Sequence, residues 1–313
     1  MKILFIGYNR LGDAILSTSL LRIYNKNQNH ITVICSPISE DIYSSFKFVR
    51  KIISVEKKKY SKHWIDAYKQ IEKFNWDLVI DLRNTVLSRI IFKKKVFRFK
   101  VKNQDLHRVD NLYNLINEKK RPGPKIITTL KAKNSAKETI NTLNLKGNIL
   151  SIAPVTNWHR KNWPINNFAE LIKKLFLSKK YNFSRVLLFG SEHEFKQCEL
   201  LTKKLFHIPT SNLAGKIEIL TIYEIMRKCK FFIGNDSGLT HLSAASGIKT
   251  LALFGPSKEK NYRPWGKNAH YIRTSETFEE LTKGKNYNRF NKSSLMRSLS
   301  VVNVYKKCQK ILD

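Results

Sequence analysis

Short apolar runs alternate with longer amphipathic stretches through the first half of the chain. KILFIG reads as a buried strand, and DAILSTSLLRIY has helical spacing, with Ile15, Leu16, Ser19, Leu20 and Ile23 along one side. ITVIC is a strand, PISEDIYSSF a helix opened by proline, and KIISVE a strand. HWIDAYKQIEKF is helical, DLVIDL a strand, TVLSRIIF a helix and KVFRF a strand. Strands that alternate with helices predict a parallel sheet covered on both faces, because right-handed crossovers place the helices there.

RPGPK at Arg121 interrupts this series. An amphipathic, polar helix over about 132–145 follows, then KGN as a linker, and a second α/β series opens at NILSIAP. It runs through the helix PINNFAELIKKLF, the strand RVLLFG, helices in HEFKQCELLTKKLF and LTIYEIMRKC, the strand KFFIG, a helix through HLSAA and the strand KTLALFG. Two Rossmann-like domains are expected, 1–147 and 148–313. The closing VVNVYKKCQKIL is amphipathic, and its apolar stripe suits either domain, a return onto the N-terminal one included.

A length of 313 residues fits two domains, and 42% hydrophobic content with 11% aromatics is that of a folded globular protein. Asn9, Arg10 and Asp13 break up any apolar signal-peptide core, and no apolar run approaches the ~18 residues of a membrane span. The chain is expected to be soluble and cytoplasmic. Cys35, Cys198, Cys229 and Cys308 are too scattered for a zinc site or a disulfide framework, so reduced thiols are expected. Lys+Arg 58 against Asp+Glu 24 gives a net charge of +34, which favours anionic partners: nucleic acid, an anionic membrane face or a phosphorylated glycolipid. Base bias in the genome explains the same excess equally well, and lysine runs such as those at Lys57 and Lys93 are usually solvated. No nucleic-acid-binding motif accompanies the charge, so no specific nucleic-acid partner is expected.

In open α/β sheets ligands sit at the carboxyl ends of the strands, which directs attention to four loops. The first, IGYNRLGDAIL, has neither a Walker A lysine nor a GxGxxG fingerprint; it leaves Asp13 at a helix start, where a helix-capping role competes with a chemical one. The second, APVTNWHRKNWPINNF, offers Arg160 and Lys161 as phosphate contacts or as solvated charge. The third, FGSEHEF, offers Glu192 and Glu194, suited to ribose hydroxyls or simply to a helix's first turn. The fourth, GNDSGLTHLSAAS, is the most specific. Ser237 and Gly238 put backbone N–H groups at a helix N-terminus, an anion site, with Asp236 before it and His241 one turn on.

Together GNDSGLTHLSAASGIKTLALFGPS, WHRKNWP, FGSEHE and LGDAILSTSLL resemble glycosyltransferase family 9, the lipopolysaccharide heptosyltransferases, with DLVIDLR and HRVDNLYNLI in the expected order. The resemblance implies a GT-B fold, two facing Rossmann-like domains with parallel sheets, the first on the acceptor side and the second binding a nucleotide sugar. It implies inverting transfer of heptose from ADP-heptose to the lipopolysaccharide inner core, with no metal and no cofactor. By position, Asp13 would be the catalytic base, Lys161 and the Ser237–Gly238–Leu239 backbone would hold the diphosphate, Glu194 the ribose, and Asp236 and His241 the rest of the donor. The acceptor would be an anionic glycolipid met at the cytoplasmic face of the inner membrane, with peripheral contact there. Val155 stands where the family usually has glycine, and Ser257-Lys258-Glu259 follow FGP where Thr-Asp-Pro is commoner. The acceptor-side loops 60–64 and 85–95 follow no readable pattern. A relative using another nucleotide sugar or glycan is the nearest alternative, and a noncatalytic basic protein binding anionic surfaces the distant one.

Overall fold

The computed structural model describes residues 1–56, 59, 62–100, 103–283 and 293–313; Lys57, Lys58, Tyr60 and Ser61 of the segments named above lie outside them. The chain divides into two compact units, Met1–Thr128 and Thr129–Asp313.

In the first unit the order is β1 (Lys2–Ile6), α1 (Leu11–Tyr24), β2 (His30–Cys35), α2 (Pro37–Ser44), β3 (Val49–Ser54), α3 (Lys62–Lys69), β4 (Trp76–Asp81), α4 (Leu87–Ile90), β5 (Lys93–Arg98) and α5 (Arg108–Ile116). The strands form one parallel sheet in the order β3-β2-β1-β4-β5. Every residue of α1 from Ala14 to Leu21 is buried. That degree of burial is tolerated because its hydroxyls are satisfied locally: Ser17, Thr18 and Ser19 donate to the carbonyls of Ala14, Ile15 and Leu16 at 2.7–2.8 Å. Gly7 ends β1 against the Tyr43 ring, and a Cβ there would lie 2.8 Å from the Tyr43 hydroxyl. Packing demands that glycine, not phosphate approach.

The second unit runs α6 (Leu130–Thr142), β6 (Asn148–Ala153), α7 (Ile165–Leu177), β7 (Phe183–Leu188), α8 (Phe195–Lys204), β8 (Thr210–Asn212), α9 (Ile219–Met226), β9 (Phe231–Asn235), α10 (Gly238–Ser246), β10 (Lys249–Phe254), α11 (Glu259–Tyr262), β11 (Ala269–Arg273), α12 (Phe278–Lys283) and α13 (Val301–Leu312). Its parallel sheet is ordered β11-β10-β9-β6-β7-β8. Both sheets thus have Rossmann order, reversing direction between β1 and β4 in one and between β6 and β9 in the other.

One placement differs from the pattern reading, and another decides what that reading left open. The polar helix α6 packs on α9 and belongs to the second unit, so the division falls after Thr128 and not at 147. Its Ala132 and Ala136 are the residues it buries, a narrow stripe. The amphipathic α13 packs on α7 and buries Val301, Val304, Cys308 and Ile311 in the second unit's core, which settles the open choice of domain. All four cysteines are free and buried. Among the described residues no helix is long and apolar enough to cross a membrane.

Candidate functional site

In the second unit the switch point gathers the predicted donor residues other than Glu194 at the carboxyl ends of the central strands β6 and β9. Asn235 is the joint. Fully buried at the end of β9, it donates from Nδ2 to the Pro154 carbonyl at 2.7 Å and accepts from the Trp163 amide at 3.0 Å. Its own carbonyl accepts from the Thr240 hydroxyl at 2.6 Å. One residue therefore ties the loop after β6, through its side-chain amide, to the start of α10, through its backbone carbonyl. Within that loop, Asn162 Oδ1 accepts from the Thr156 amide and hydroxyl at 2.8 and 2.9 Å, closing the 3-10 turn His159–Lys161.

The consequence is an ion pair. Lys161 Nζ lies 2.6 Å from Asp236 Oδ2, with side chains 25% and 9% exposed. The Trp158 ring lies beneath the ammonium at 5.7 Å. Asp236 thus turns toward Lys161 and leaves the helix start to Ser237, whose side chain makes no capping hydrogen bond. The first N–H groups of α10, at Gly238 and Leu239, carry the positive end of the helix dipole without a side-chain cap. His241 is buried on the same first turn, and Gly247 ends the helix with a left-handed φ of 87°. The arrangement offers one ammonium and a helix tip to a polyanion.

Arg160, grouped with Lys161 from the sequence, is buried, and its carbonyl accepts from the Leu295 amide at 3.0 Å. The 293–299 segment supports this loop throughout: Ser294 Oγ donates to the Asn162 carbonyl at 2.6 Å and the Trp163 indole to the Leu299 carbonyl at 2.8 Å. Val155, which stands where the family usually has glycine, is 5% exposed and packed in the apolar core. Glu194 follows β7, which pairs with β6 on that strand's far side from β9. It closes a capping box, accepting from the Ser191 amide at 2.7 Å through Oε2. Beside it Gly215, at φ +70°, brings its Cα so close that a Cβ would lie 2.5 Å from Glu192 Cα.

In the first unit Asp13 is the third residue of α1, and Arg10 occupies the cap position, so the capping alternative is not realised. The carboxylate faces Arg108, the first residue of α5, with Nε 3.8 Å from Oδ1 and both side chains more than four-fifths buried. The Arg108 guanidinium lies 5.8 Å from the Tyr8 ring centre and 5.1 Å from that of Phe99. Neither Arg108 nor Asn235 carries a local signal. Both act through residues distant in sequence, and only the blocks that contain them, HRVDNLYNLI and GNDSGLTHLSAAS, pointed to their surroundings.

A search of known families matches residues 100–292 to glycosyltransferase family 9 (heptosyltransferase). Lipooligosaccharide heptosyltransferase 2 of Campylobacter jejuni serotype O:6 is 28% identical over 280 residues, 85% of each chain. Among solved structures, the glycosyl transferase family 9 protein of Veillonella parvula is similar with a TM-score of 0.82 at 20% identity, covering 99% of this chain and 97% of that one. The E. coli ADP-heptose LPS heptosyltransferase II gives a TM-score of 0.73 at 20% identity, covering 100% and 98%. These likenesses show the α/β GT-B fold expected from the sequence, with its two Rossmann-like sheets. With more than half its length matched by the family and its switch-point loops built as described, the chain belongs to glycosyltransferase family 9 and is a glycosyltransferase.

Proposed function

We propose that the chain transfers heptose from ADP-heptose to the inner core of lipopolysaccharide, inverting the anomeric centre without a metal. The observation that carries this reading is the Lys161–Asp236 pair beside the uncapped start of α10. A departing nucleoside diphosphate develops negative charge, and a lysine with helix-terminal N–H groups stabilises that charge where a metal ion would otherwise be needed. Lys161 and the Ser237–Gly238–Leu239 backbone take the diphosphate. Asp236 keeps Lys161 extended toward it, and His241 completes the donor site. Glu194 retains one carboxylate oxygen beyond its capping bond to receive ribose hydroxyls.

Asp13 acts as general base. It removes the acceptor hydroxyl proton as the acceptor oxygen attacks C1 and the diphosphate leaves from the opposite face, a contribution of ~10²–10⁴ in rate. The named relatives support the donor and the glycan: the C. jejuni protein is a lipooligosaccharide heptosyltransferase, and the E. coli structure is of an ADP-heptose LPS heptosyltransferase. The acceptor is then an anionic glycolipid at the cytoplasmic face of the inner membrane. The surplus of 34 positive charges favours peripheral attachment there, at ~1 kcal/mol per basic residue close to anionic lipid.

The test is transfer from ADP-heptose to Kdo–lipid A acceptors, with and without a first heptose, against UDP- and GDP-sugars as competing donors and with EDTA present. Transfer specific to ADP-heptose in EDTA is expected. Preference for a uridine or guanosine donor would reassign the substrate within the family, and loss of turnover in EDTA would remove the metal-independent mechanism.

A further inference from the structure

A carboxylate that serves as base needs a fixed direction as well as a free oxygen, and the surroundings of Asp13 separate the two. Oδ1 is buried and accepts no hydrogen bond among the described residues; its neighbour is Arg108 Nε at 3.8 Å. The side chain is still 18% exposed, so its access to solvent lies away from Oδ1.

Arg108 is itself held. The Tyr8 and Phe99 rings, nearly perpendicular to each other at 6.3 Å, both lie within cation–π range of its guanidinium. Its backbone is fixed by the start of α5, where His107 Nδ1 accepts from the Val109 amide at 3.1 Å. Tyr113, further along α5, places its hydroxyl between the Pro122 carbonyl and the Ser19 carbonyl of α1, the latter at 3.1 Å, and α5 packs directly on α1, so the two helices carrying the pair lie against one another.

We propose that Arg108 is a positioning residue: braced by Tyr8 and Phe99, it holds Oδ1 of Asp13 and leaves Oδ2 as the oxygen that takes the acceptor proton. The proposal rests on the reading of Asp13 as base. In the step it serves, the acceptor O–H proton passes to Oδ2, the acceptor oxygen bonds to C1, and the bond from C1 to the diphosphate oxygen breaks with its electron pair leaving on the diphosphate. A bidentate fork on both oxygens would occupy the lone pairs the proton needs. A single contact through Nε at 3.8 Å fixes the direction of the carboxylate and spares Oδ2.

The test compares wild type, Asp13→Asn, Arg108→Ala, Arg108→Lys and the Asp13→Asn/Arg108→Ala double variant, using ADP-heptose and the Kdo–lipid A acceptor. Arg108→Ala is expected to lower kcat about 10–100-fold, as a displaced reacting group does, while KM for the donor and the melting temperature hold. Lysine at 108, and guanidinium added to Arg108→Ala, should each restore part of kcat, and Arg108→Ala should cost nothing further once Asp13 is Asn. Loss confined to KM or melting temperature, with no return by lysine or guanidinium, would show that Arg108 only stabilises α5. Wild-type turnover by Asp13→Asn would instead overturn the base reading and this proposal with it, and that outcome is read independently of every Arg108 variant.

Discussion

The switch points of the two units put charged side chains at equivalent places in the fold and hold them by different means. In the second unit the candidate donor residues from Asp236 to His241 are contiguous, and the anion-facing element is backbone: the first turn of α10, uncapped by Ser237. A buried amide, Asn235, bonds the neighbouring loop into place and delivers one lysine. In the first unit the proposed chemistry rests on a single carboxylate, and its partner comes from α5, far along the chain, with two aromatic rings within cation–π range of it. A site that must hold a polyanion uses many convergent N–H dipoles and tolerates small adjustments. A site that must accept one proton depends on the direction of one group.

That contrast predicts separable losses. Asp13→Asn should reduce kcat by ~10²–10⁴ and leave the Kd for ADP within two-fold of wild type by calorimetry; a comparable fall in nucleotide affinity would mean that the first unit's carboxylate serves binding and not proton transfer. Lys161→Ala should raise the Kd for ADP about 10–100-fold, the range of a lost charge-assisted hydrogen bond, and slow turnover as well. Unchanged kinetics would take Lys161 out of the site. Asn235→Ala should act one step back: the Trp163 amide and Pro154 carbonyl lose their partner, at ~1–3 kcal/mol each, and the melting temperature falls by about 5 °C or more. ADP affinity should fall with it, because the Lys161 loop is no longer fixed; melting temperature falling alone would show that the loop keeps its place without the joint.

The smallest effect is expected at the thiols. Burial pushes Cys35, Cys198 and Cys229 up to about 12 and Cys308 higher still. A raised value keeps the thiol protonated below it, so at pH 8 only about one molecule in ten thousand carries a thiolate at a given site. Iodoacetamide at pH 8 should therefore label none of the four in the folded protein and all four in guanidinium. Rapid labelling of one cysteine in the native state would reveal local opening in the unit that contains it.

Much of this was legible in the residues. The alternation of apolar strands and amphipathic helices is a local property, and it marked nearly every major element of both sheets. The Asp-Ser-Gly junction was legible because a helix N-terminal anion site is written in consecutive residues. Less legible were β8, three residues long, and β11, whose residues are all half-buried or exposed and so lack a continuous apolar run. The stabilising role of Asn235 passed unseen because a buried amide between two loops has the same local signature as an asparagine in a turn.

Sequence alone determined the two Rossmann-like series, the helix tip at Ser237 and the family, since periodicity and contiguous motifs depend on near neighbours. Tertiary structure decided that Asp236 turns to Lys161 and not to the helix it precedes, that Asp13 faces Arg108 and caps nothing, and that α6 and α13 join the second unit. The physical reason is common to all of these. A side chain's partner is chosen by which strands and helices lie side by side, and that adjacency is set by the sheet order and not by distance along the chain.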